Sequence, residues 1–521
     1  MAVQRSIGRV ALGRVPMRSV AAFVMALLWF GLVSLWWQDG DHGFDHRSAS
    51  SWREADYAAI ARGFALQDLN PLHPRVLWRG DTSGEVEMEV PVVPWLAAVA
   101  GRTFGYEDSL LRRVSTVFAA GAVALFGWLA LTSLRPGPAL VAWTFFATNP
   151  IVQSLATAMQ PEAVMLFWVV LSVHAGLRWY DSGSITWWWT TAACVSLALL
   201  AKASAAYLLL FCGLLVLLRE GGKGLLAPRT WLGLGLTLMG PLLWYTWARG
   251  VYADTGLSLG LSNETHWLSL AVLADPLKPI VGNLIAEAQF VLASVGAVLL
   301  VIAGLSDRRQ APVLCLLFSV ALFYLASGDT SGEGWAWYYH IHSVTPAALL
   351  VGAGVQAISD AATSWQHRRQ TLLAGALAVL VAWALLENVR GTVFLLAKRD
   401  AASPVFHECV KELATAIPTE ARLLVRGGVS RDEHGHPVAY NDSLAFSWAR
   451  RMGANFPSDV TSENVFATYS NRNPVWFWLT RADDAQTIKE YKALVEQASA
   501  YPVIAECSLD SAYSLVRLES R

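Results

Sequence analysis

Charged residues are scarce in this sequence, and their scarcity argues against a soluble fold. Asp, Glu, Lys and Arg make up 15% of the 521 residues, whereas soluble globular proteins contain about 25%. The 39 basic and 40 acidic residues nearly cancel, so no bulk charge indicates a nucleic-acid partner. The five cysteines have no spacing typical of a zinc cluster. We therefore expect most of the chain to lie out of water.

Long apolar stretches are what the sequence has instead. Hydrophobic residues account for 55% of the chain, and a helix needs about 20 mostly apolar residues to cross a membrane. The pattern predicts an α-helical polytopic membrane protein with about eleven transmembrane helices. The spans are predicted near residues 19–37, 114–133, 138–155, 162–179, 186–201, 203–218, 231–248, 285–305, 311–327, 341–359 and 371–396.

The distribution of Lys and Arg predicts the orientation of these helices. Cytoplasmic loops carry an excess of both residues, and the N-terminus contains Arg5, Arg9, Arg14 and Arg18. With the predicted spans, every basic loop falls on the cytoplasmic side. We expect a multi-pass protein of the inner or plasma membrane whose N-terminus is cytoplasmic. Residues 1–396 would form the membrane domain, with a long first outer loop at 38–113, and residues 397–521 an extracytoplasmic domain.

The C-terminal part has the pattern of a small α/β soluble domain. Helical spacing runs from Pro404 to Ile417, and an amphipathic helix is predicted from Ala485 to Ser499. Strands are predicted at 421–426, 475–480 and 511–518. This domain serves either for packing and docking or for binding an acceptor. Cys409 and Cys507 lie in it, and they either pair, which requires an oxidising compartment, or remain free thiols.

The first outer loop is the densest polar region beside the membrane. It contains Arg53 and Asp56 near its start and Glu89 near its end, interleaved with aromatic residues and prolines. One interpretation is a short amphipathic helix lying on the membrane surface. The other is a functional site in which the carboxylates carry the chemistry.

Glu162 and Lys202 are the charged residues that stand at the edges of apolar segments. Glu162 opens a strongly apolar helix, so it is either an acid favoured by the helix dipole or a carboxylate aimed into an outer cavity. Lys202 separates two apolar stretches, and ionisable groups at membrane depth usually mark a site or a pathway. Lysine suits a phosphate ligand, but it also snorkels to lipid headgroups.

A histidine pair stands in the sequence Tyr338-Tyr339-His340-Ile341-His342. In an extended segment the two histidines would share a face, and in a helix they would diverge. A divalent metal ion is a possible cofactor, with Glu89 and His340 as possible ligands, although no further ligand is adjacent. Hydrogen bonding of His340 and His342 to an oxyanion or a lipid headgroup is the alternative.

These residues together suit glycosyl transfer from a lipid-linked phosphate. The transition state of such a reaction resembles an oxocarbenium ion, and a carboxylate deprotonates the attacking hydroxyl. The phosphate leaving group needs a cation more than an acid. The predicted outer face supplies both kinds of group.

The order of motifs also matches a known family. They are Arg53-Glu54-Ala55-Asp56-Tyr57, Asn70-Pro71-Leu72, Pro74-Arg75-Val76, Arg79-Gly80-Asp81, Glu87-Met88-Glu89-Val90-Pro91, Asn149-Pro150, Gln160-Pro161-Glu162, Lys202 and the segment from Tyr338 to Pro346. Over roughly residues 20–350 the chain resembles membrane glycosyltransferases of the GT-C superfamily. The most similar branch is that of the bacterial aminoarabinose transferase and the protein O-mannosyltransferases (dolichyl-phosphate-mannose-protein mannosyltransferase-like).

The resemblance implies a role for each candidate residue. Asp56 resembles the general base, Glu89 an acid that lines the cavity and helps to bind a metal, and Glu162 the second-loop acid. Arg53 and Lys202 resemble the cations that lie near the donor phosphate in this family. The histidine pair falls near the family's outer-loop phosphate or metal contact, although the sequence after the two tyrosines departs from the commoner apolar continuation.

The implied activity is inverting transfer of a sugar from a polyprenyl-phosphate donor to an extracytoplasmic acceptor. The expected partners are the polyprenyl-phosphate-linked sugar, an acceptor lipid, glycan or protein, and membrane lipids, with no nucleic acid. Two other functions fit a polytopic chain: a lipid-linked sugar flippase or transporter, and a non-catalytic envelope assembly protein. Transporters place polar groups near the bilayer midplane in repeated halves, whereas here they gather at one face.

Overall fold

A computed structural model describes most of the chain. The described residues are 51–261, 276–332, 334–363, 367–397, 404–427, 443–456, 465–470, 472–480 and 497–519, together with Val24, Leu27, Leu28, Phe30 and Gly31. The predicted span at 19–37 and residues 485–496 of the predicted amphipathic helix therefore lie wholly or largely outside them.

Helices dominate the first 397 residues. In chain order the helices are α1 (Ser51–Leu66), α2 (Val92–Phe104), α3 (Ser109–Ser133), α4 (Pro136–Ala147), α5 (Pro150–Ala156), α6 (Glu162–Ser182), α7 (Ile185–Ala201), α8 (Tyr207–Glu220), α9 (Gly222–Leu225), α10 (Pro228–Thr255), α11 (Leu277–Ala286), α12 (Val295–Leu305), α13 (Ala311–Ala326), α14 (Gly328–Ser331), α15 (Ile341–Ala362) and α16 (His367–Ala397).

The chain is a membrane protein with several apolar helices. Among the described residues, five helical segments are long and apolar enough to cross a membrane, and seven if two bent helix pairs each count as one span. The bent pairs are α4 with α5, at 52°, and residues 277–292 with α12, at 101°. Two shorter apolar helices, α7 and α13, coincide with predicted spans. The count of about eleven stays a prediction.

Helix α15 lies at the centre of the membrane part, because almost all of it is buried inside the protein. Its glycines allow neighbouring helices to approach closely, as small residues do in membrane bundles. A Cβ on Gly354 would collide with the backbone of Leu300 in α12, and one on Gly352 would collide with Ala142 in α4. Helix α16 is mostly exposed and lies at the periphery.

The predicted first outer loop contains a buried helix, α1, and not a helix lying on the membrane surface. Residues 53–61 of α1 are all buried. Helix α2 follows at the end of the loop, and Tyr106, just after it, donates a hydrogen bond of 3.1 Å to the carbonyl of Ala58. Arg102 of α2 donates a further hydrogen bond of 2.9 Å to the carbonyl of Phe64. These contacts fix α1 against α2 and the residues that follow it.

The C-terminal part contains a five-stranded sheet with short helices. The elements are α17 (Pro404–Ala414), β1 (Arg422–Arg426), α18 (Leu444–Ala449), β2 (Met452–Phe456), α19 (Val465–Tyr469), β3 (Trp476–Leu479), β4 (Val503–Glu506) and β5 (Ser514–Arg517). The strand order is β2-β1-β3-β5-β4. Strand β1 is parallel to β2 and β3, whereas β5 is antiparallel to β3 and β4.

The structure confirms the predicted helix at 404–417 and the predicted strands that became β1, β3 and β5. The sequence prediction missed β2, β4, α18 and α19. Cys409 and Cys507, which the sequence left either paired or free, form a disulfide bond.

The C-terminal part packs on the first outer loop above α1. Ser447 of α18 donates a hydrogen bond of 3.1 Å to the carbonyl of Ala55 in α1. The backbone of Gly453 in β2 bonds to the carbonyl of Leu77, at 3.0 Å. Apolar residues of one sheet face belong to the same continuous core as the membrane helices. Helix α1, which carries Arg53 and Asp56, is thus covered by the C-terminal part.

Candidate active site

Glu89 joins the end of the first outer loop to its beginning. The Oε1 atom of Glu89 accepts a hydrogen bond of 3.0 Å from Nη2 of Arg53 and one of 2.6 Å from the hydroxyl of Tyr57. Arg53 and Tyr57 are four residues apart on α1, so they lie on the same face of the helix. Burial raises the pKa of Tyr57, and the neighbouring Glu89 raises it further. The phenol therefore stays protonated and acts as a donor.

A second ion pair lies on the adjacent face of α1. The Oε2 atom of Glu54 lies 3.3 Å from Nη2 of Arg112 in α3, and Oε1 accepts a hydrogen bond of 3.0 Å from the backbone of Met159. Arg112 in turn donates to the carbonyl of Thr157, at 2.7 Å. Both charged groups are almost fully buried. This pair holds the turn at 157–161 against α1, directly before Glu162.

Glu162 and Lys202 form a buried ion pair. Glu162 is the first residue of α6, and Lys202 occupies an extended break between α7 and the short helical turn at Ala203–Ala206. The other carboxylate oxygen of Glu162 and the side-chain oxygen of Gln160 are buried and have no hydrogen-bond partner. Buried polar atoms are usually satisfied, so these two oxygens are candidates for contact with a ligand or a water molecule.

The ammonium of Lys202 points into the protein and not towards lipid headgroups. It lies 4.7 Å from the ring centre of Tyr338 and 5.2 Å from that of Tyr339. Such cation–π contacts stabilise a desolvated cation. The snorkelling interpretation of Lys202 is therefore wrong.

The Arg53–Glu89 and Glu162–Lys202 ion pairs form one cluster. Arg53 is close enough to Glu162, and Lys202 to Glu89, for their charges to interact. Four predicted site residues, separated by up to 149 positions (53 to 202) in the sequence, thus meet at one end of the helical bundle. Two cations and two carboxylates balance one another there, in surroundings where electrostatic interactions are stronger than in water.

Asp56 lies on α1 beside this cluster and is completely buried. Its Oδ1 atom accepts a hydrogen bond of 2.7 Å from the indole nitrogen of Trp78. Successive residues of a helix are rotated by about 100°, so Asp56 is displaced by about 60° from the direction of Arg53. Its carboxylate thus has a fixed orientation next to the cluster that Arg53 and Glu89 form.

The two histidines have separate environments. Nδ1 of His340 lies 2.7 Å from Oε1 of Glu287, and Nε2 lies 3.1 Å from the carbonyl of Ser331. His342 lies in α15, where its ring is 5.0 Å from that of Tyr207 and 5.1 Å from that of Phe323. The contacts of His340 thus tie it to the bent helix at 287–292 and not to Lys202.

The described residues do not fit a metal centre. No group of three or more His, Cys, Asp or Glu side chains converges among them in a way that could hold a metal ion. Glu89 and His340, the possible ligands in the sequence, engage different partners: Arg53 and Tyr57 for Glu89, and Glu287 for His340. We derive no chemical step through a metal.

Sequence reasoning did not assign roles to several residues of the site. The contact of Tyr57 with Glu89 had a local signal, since Tyr57 follows Arg53 by one helical turn. The hydrogen bond from Trp78 and the rings of Tyr338 and Tyr339 beneath Lys202 had none. They depend on the path of the chain in three dimensions.

Comparisons with known proteins agree with this picture. Residues 88–247 match the sequence model of a family described as dolichyl-phosphate-mannose-protein mannosyltransferase. That segment contains Glu89, Glu162 and Lys202. No curated protein sequence matches the chain.

Solved structures show the same fold. ArnT from Cupriavidus metallidurans, bound to undecaprenyl phosphate, superposes with a TM-score of 0.60 at 15% identity, over 96% of this chain and 98% of that chain. The archaeal oligosaccharyltransferase AglB from Archaeoglobus fulgidus, in complex with an inhibitory peptide and a dolichol-phosphate, gives 0.55 at 12% identity, over 93% and 72%. Arabinofuranosyltransferase AftD from Mycobacteria gives 0.51 at 15% identity, over 97% and 42%.

The chain thus has the fold of GT-C membrane glycosyltransferases, and the resemblance predicted from the sequence motifs is confirmed. The structural likeness extends over almost the whole chain, whereas the family match in sequence covers only residues 88–247.

Proposed function

We propose that this protein is an inverting glycosyltransferase that moves a sugar from a polyprenyl-phosphate donor to an extracytoplasmic acceptor. The observation that carries the proposal is the buried cluster in which Lys202 lies between Glu162 and two tyrosine rings, close to Arg53 and Glu89. Buried cations beside carboxylates are what a donor with a phosphate and a polar sugar requires.

Lys202 and Arg53 bind the donor phosphate in this proposal. The negative phosphate interacts with the positive charges of Lys202 and Arg53, which Glu162 and Glu89 otherwise balance. The unpartnered oxygens of Glu162 and Gln160 accept hydrogen bonds from sugar hydroxyls. Tyr57 and Arg53 keep Glu89 in place.

Asp56 acts as the general base. It removes the proton from the acceptor hydroxyl or amine while the new bond forms at the anomeric carbon. The bond from that carbon to the phosphate oxygen breaks, and its electron pair leaves with the phosphate, whose charge Lys202 and Arg53 stabilise. A single displacement inverts the anomeric centre. The indole of Trp78 keeps the carboxylate of Asp56 oriented.

We place the protein in the inner or plasma membrane with its C-terminal part outside the cytoplasm. The disulfide bond between Cys409 and Cys507 supports this orientation, because disulfides persist in oxidising compartments. The arginines of the predicted inner loops support it as well.

The test is sugar transfer from radiolabelled polyprenyl-phosphate sugars by the purified protein. Asp56→Asn should abolish turnover and keep donor binding, whereas Asp254→Asn, at an exposed position on α10, should have no effect. Full turnover by Asp56→Asn together with loss of turnover in Glu162→Gln would move the role of base to Glu162. Movement of intact donor across vesicle membranes without release of polyprenyl phosphate would contradict the transferase proposal and favour a flippase.

A further inference from the structure

The first outer loop adds a short extended segment to the edge of the C-terminal sheet. The backbone nitrogen of Gly80 donates to the carbonyl of Gly453, at 2.7 Å, and that of Gly453 donates to the carbonyl of Leu77, at 3.0 Å. Arg79 pairs with Ala454 of β2 in an antiparallel bridge. The segment at 77–80 therefore lies beside β2 and forms a seam between the loop and the C-terminal domain.

The sheet register brings two arginines to the same side of this seam. Residues that are paired across a sheet point to the same face, and successive residues of a strand alternate between faces. Arg79 pairs with Ala454, and Ala454 pairs with Leu424 of β1. Arg422 precedes Leu424 by two positions, so it shares that face with Arg79. Trp78 points to the opposite face, where it contacts Asp56.

Positive charge is concentrated at the seam in the part of the chain that the structure describes. The pKa of Arg79 is lowered by burial and by the neighbouring charges of Arg422 and Arg75. Arg75 pairs with Glu85, at 3.5 Å, and a further cation, Arg472, pairs with exposed Asp81, at 2.6 Å.

Neither Arg79 nor Arg422 has an ion pair within the part of the chain that the structure describes. Arg79 donates to the carbonyl of Ser83, at 3.2 Å. Nη1 of Arg422 is buried and has no hydrogen-bond partner.

We propose that Arg79 and Arg422 form a binding site for an anionic group, a phosphate or a carboxylate, at the seam between the first outer loop and the C-terminal domain. Two adjacent guanidinium groups repel each other unless a negative charge lies between them. The planar guanidinium matches the oxygens of phosphate and carboxylate in a bidentate manner. A bound anion would satisfy the orphaned nitrogen of Arg422 and remove the repulsion.

Occupation of this site would tie the loop to the C-terminal domain. The loop residue next to Arg79 is Trp78, which holds Asp56, so the anion would act on the orientation of that carboxylate from the far face of the sheet. The site itself does not depend on the proposed transfer reaction. Its ligand is either a soluble anion, such as a group carried by an acceptor, or the headgroup of an anionic lipid.

The experiment is calorimetric titration of inorganic phosphate into the full-length protein in phosphatidylcholine nanodiscs. The variants are Arg79→Gln, Arg422→Gln and, as a matched control, Lys411→Gln, which removes an exposed cation from the same domain. We expect one phosphate per chain in the wild type, at least a tenfold loss of affinity in each arginine variant, and no change in the control. Thermal unfolding of each variant without phosphate reports whether it is folded.

Equal phosphate affinity in the wild type and both arginine variants would overturn the proposal, as would the absence of binding by folded wild type at millimolar phosphate. Adding phosphatidylglycerol to the nanodiscs identifies the source of the anion. Competition with phosphate would assign the site to a lipid headgroup, whereas unchanged phosphate binding would assign it to a soluble anion. Both results support an anion site at the seam, and neither requires that sugar transfer be observed.

Discussion

The indole nitrogen of Trp78 lies 2.7 Å from Oδ1 of Asp56 and donates a hydrogen bond to it. The two residues are 22 positions apart, and both are buried. A residue in the middle of the first outer loop thereby fixes the carboxylate at the start of α1. Because the segment after Trp78 is bound to β2, the C-terminal domain also supports this geometry.

Replacing Trp78 with phenylalanine should lower kcat and leave KM for the donor largely unchanged. Phenylalanine keeps an aromatic ring at this position but has no N–H to donate to Asp56. Misorientation of a catalytic group costs on the order of tenfold or more in rate. Steady-state kinetics with the purified variant provide the measurement. Trp95→Phe is the matched control, since Trp95 bonds to the carbonyl of Leu69 in the same loop, at 2.9 Å. A decrease in kcat of equal size in both variants would argue for general damage to the loop.

Replacing Lys202 with methionine should weaken donor binding by at least tenfold. The substitution removes the cation proposed for the phosphate, and it also leaves Glu162 as an unpaired buried carboxylate, which costs about 3–5 kcal/mol of stability. The double variant Lys202→Met with Glu162→Gln removes this second effect. Binding of a fluorescent polyprenyl phosphate should be weak in both. Normal affinity in the folded double variant would exclude a phosphate-binding role for Lys202.

Tyr57 should contribute to the loss of stability at alkaline pH. Its pKa is raised in the folded protein, by burial and by Glu89, whereas in the unfolded chain it ionises near its usual value of about 10. The stability that the neutral phenol provides is therefore present below pH 10 and is lost as the pH rises above it.

Tyr57→Phe should accordingly show a shallower decline of melting temperature between about pH 9.5 and 11 than the wild type. Tyr252→Phe, at a half-buried position in α10, serves as the comparison. Identical slopes in the wild type and Tyr57→Phe would show that Tyr57 ionises equally in both states.

The disulfide bond should stabilise the C-terminal domain. It links residues 98 positions apart, and disulfide bonds typically contribute about 2–4 kcal/mol of stability. Cys409→Ser with Cys507→Ser should lower the unfolding temperature of that domain and leave donor binding intact. Alkylation without reductant followed by mass spectrometry checks the pairing in the wild type. Full alkylation of both cysteines would contradict the bond.

Local patterns predicted the parts of the fold that depend on nearby residues. Apolar stretches indicated the helices that became α3, α6 and α15, because burial in lipid or in a bundle demands apolar side chains along a helix. The strand-like pattern at 421–426 became β1 for the same kind of reason. Strand β2 escaped prediction, since its sequence Met452-Gly453-Ala454-Asn455-Phe456 contains few residues that favour strands.

The candidate site was only partly accessible in this way. The motif at 53–57 and the isolated charges Glu162 and Lys202 could be recognised because charged residues beside the membrane are rare. The surroundings of His340 could not be predicted, since its partner Glu287 stands 53 positions earlier, in a distorted helical segment.

The sequence by itself determined that the chain enters the membrane, that charged residues stand at the ends of apolar segments, and that its motifs resemble those of GT-C enzymes. Only the tertiary structure decided which of those groups meet. Glu162 pairs with Lys202 because α6 and α7 pack side by side, and Asp56 is oriented by Trp78 because the loop folds back and lies beside β2. Hydropathy is a property of each segment alone, whereas an ion pair between distant residues exists only when the whole bundle brings them together.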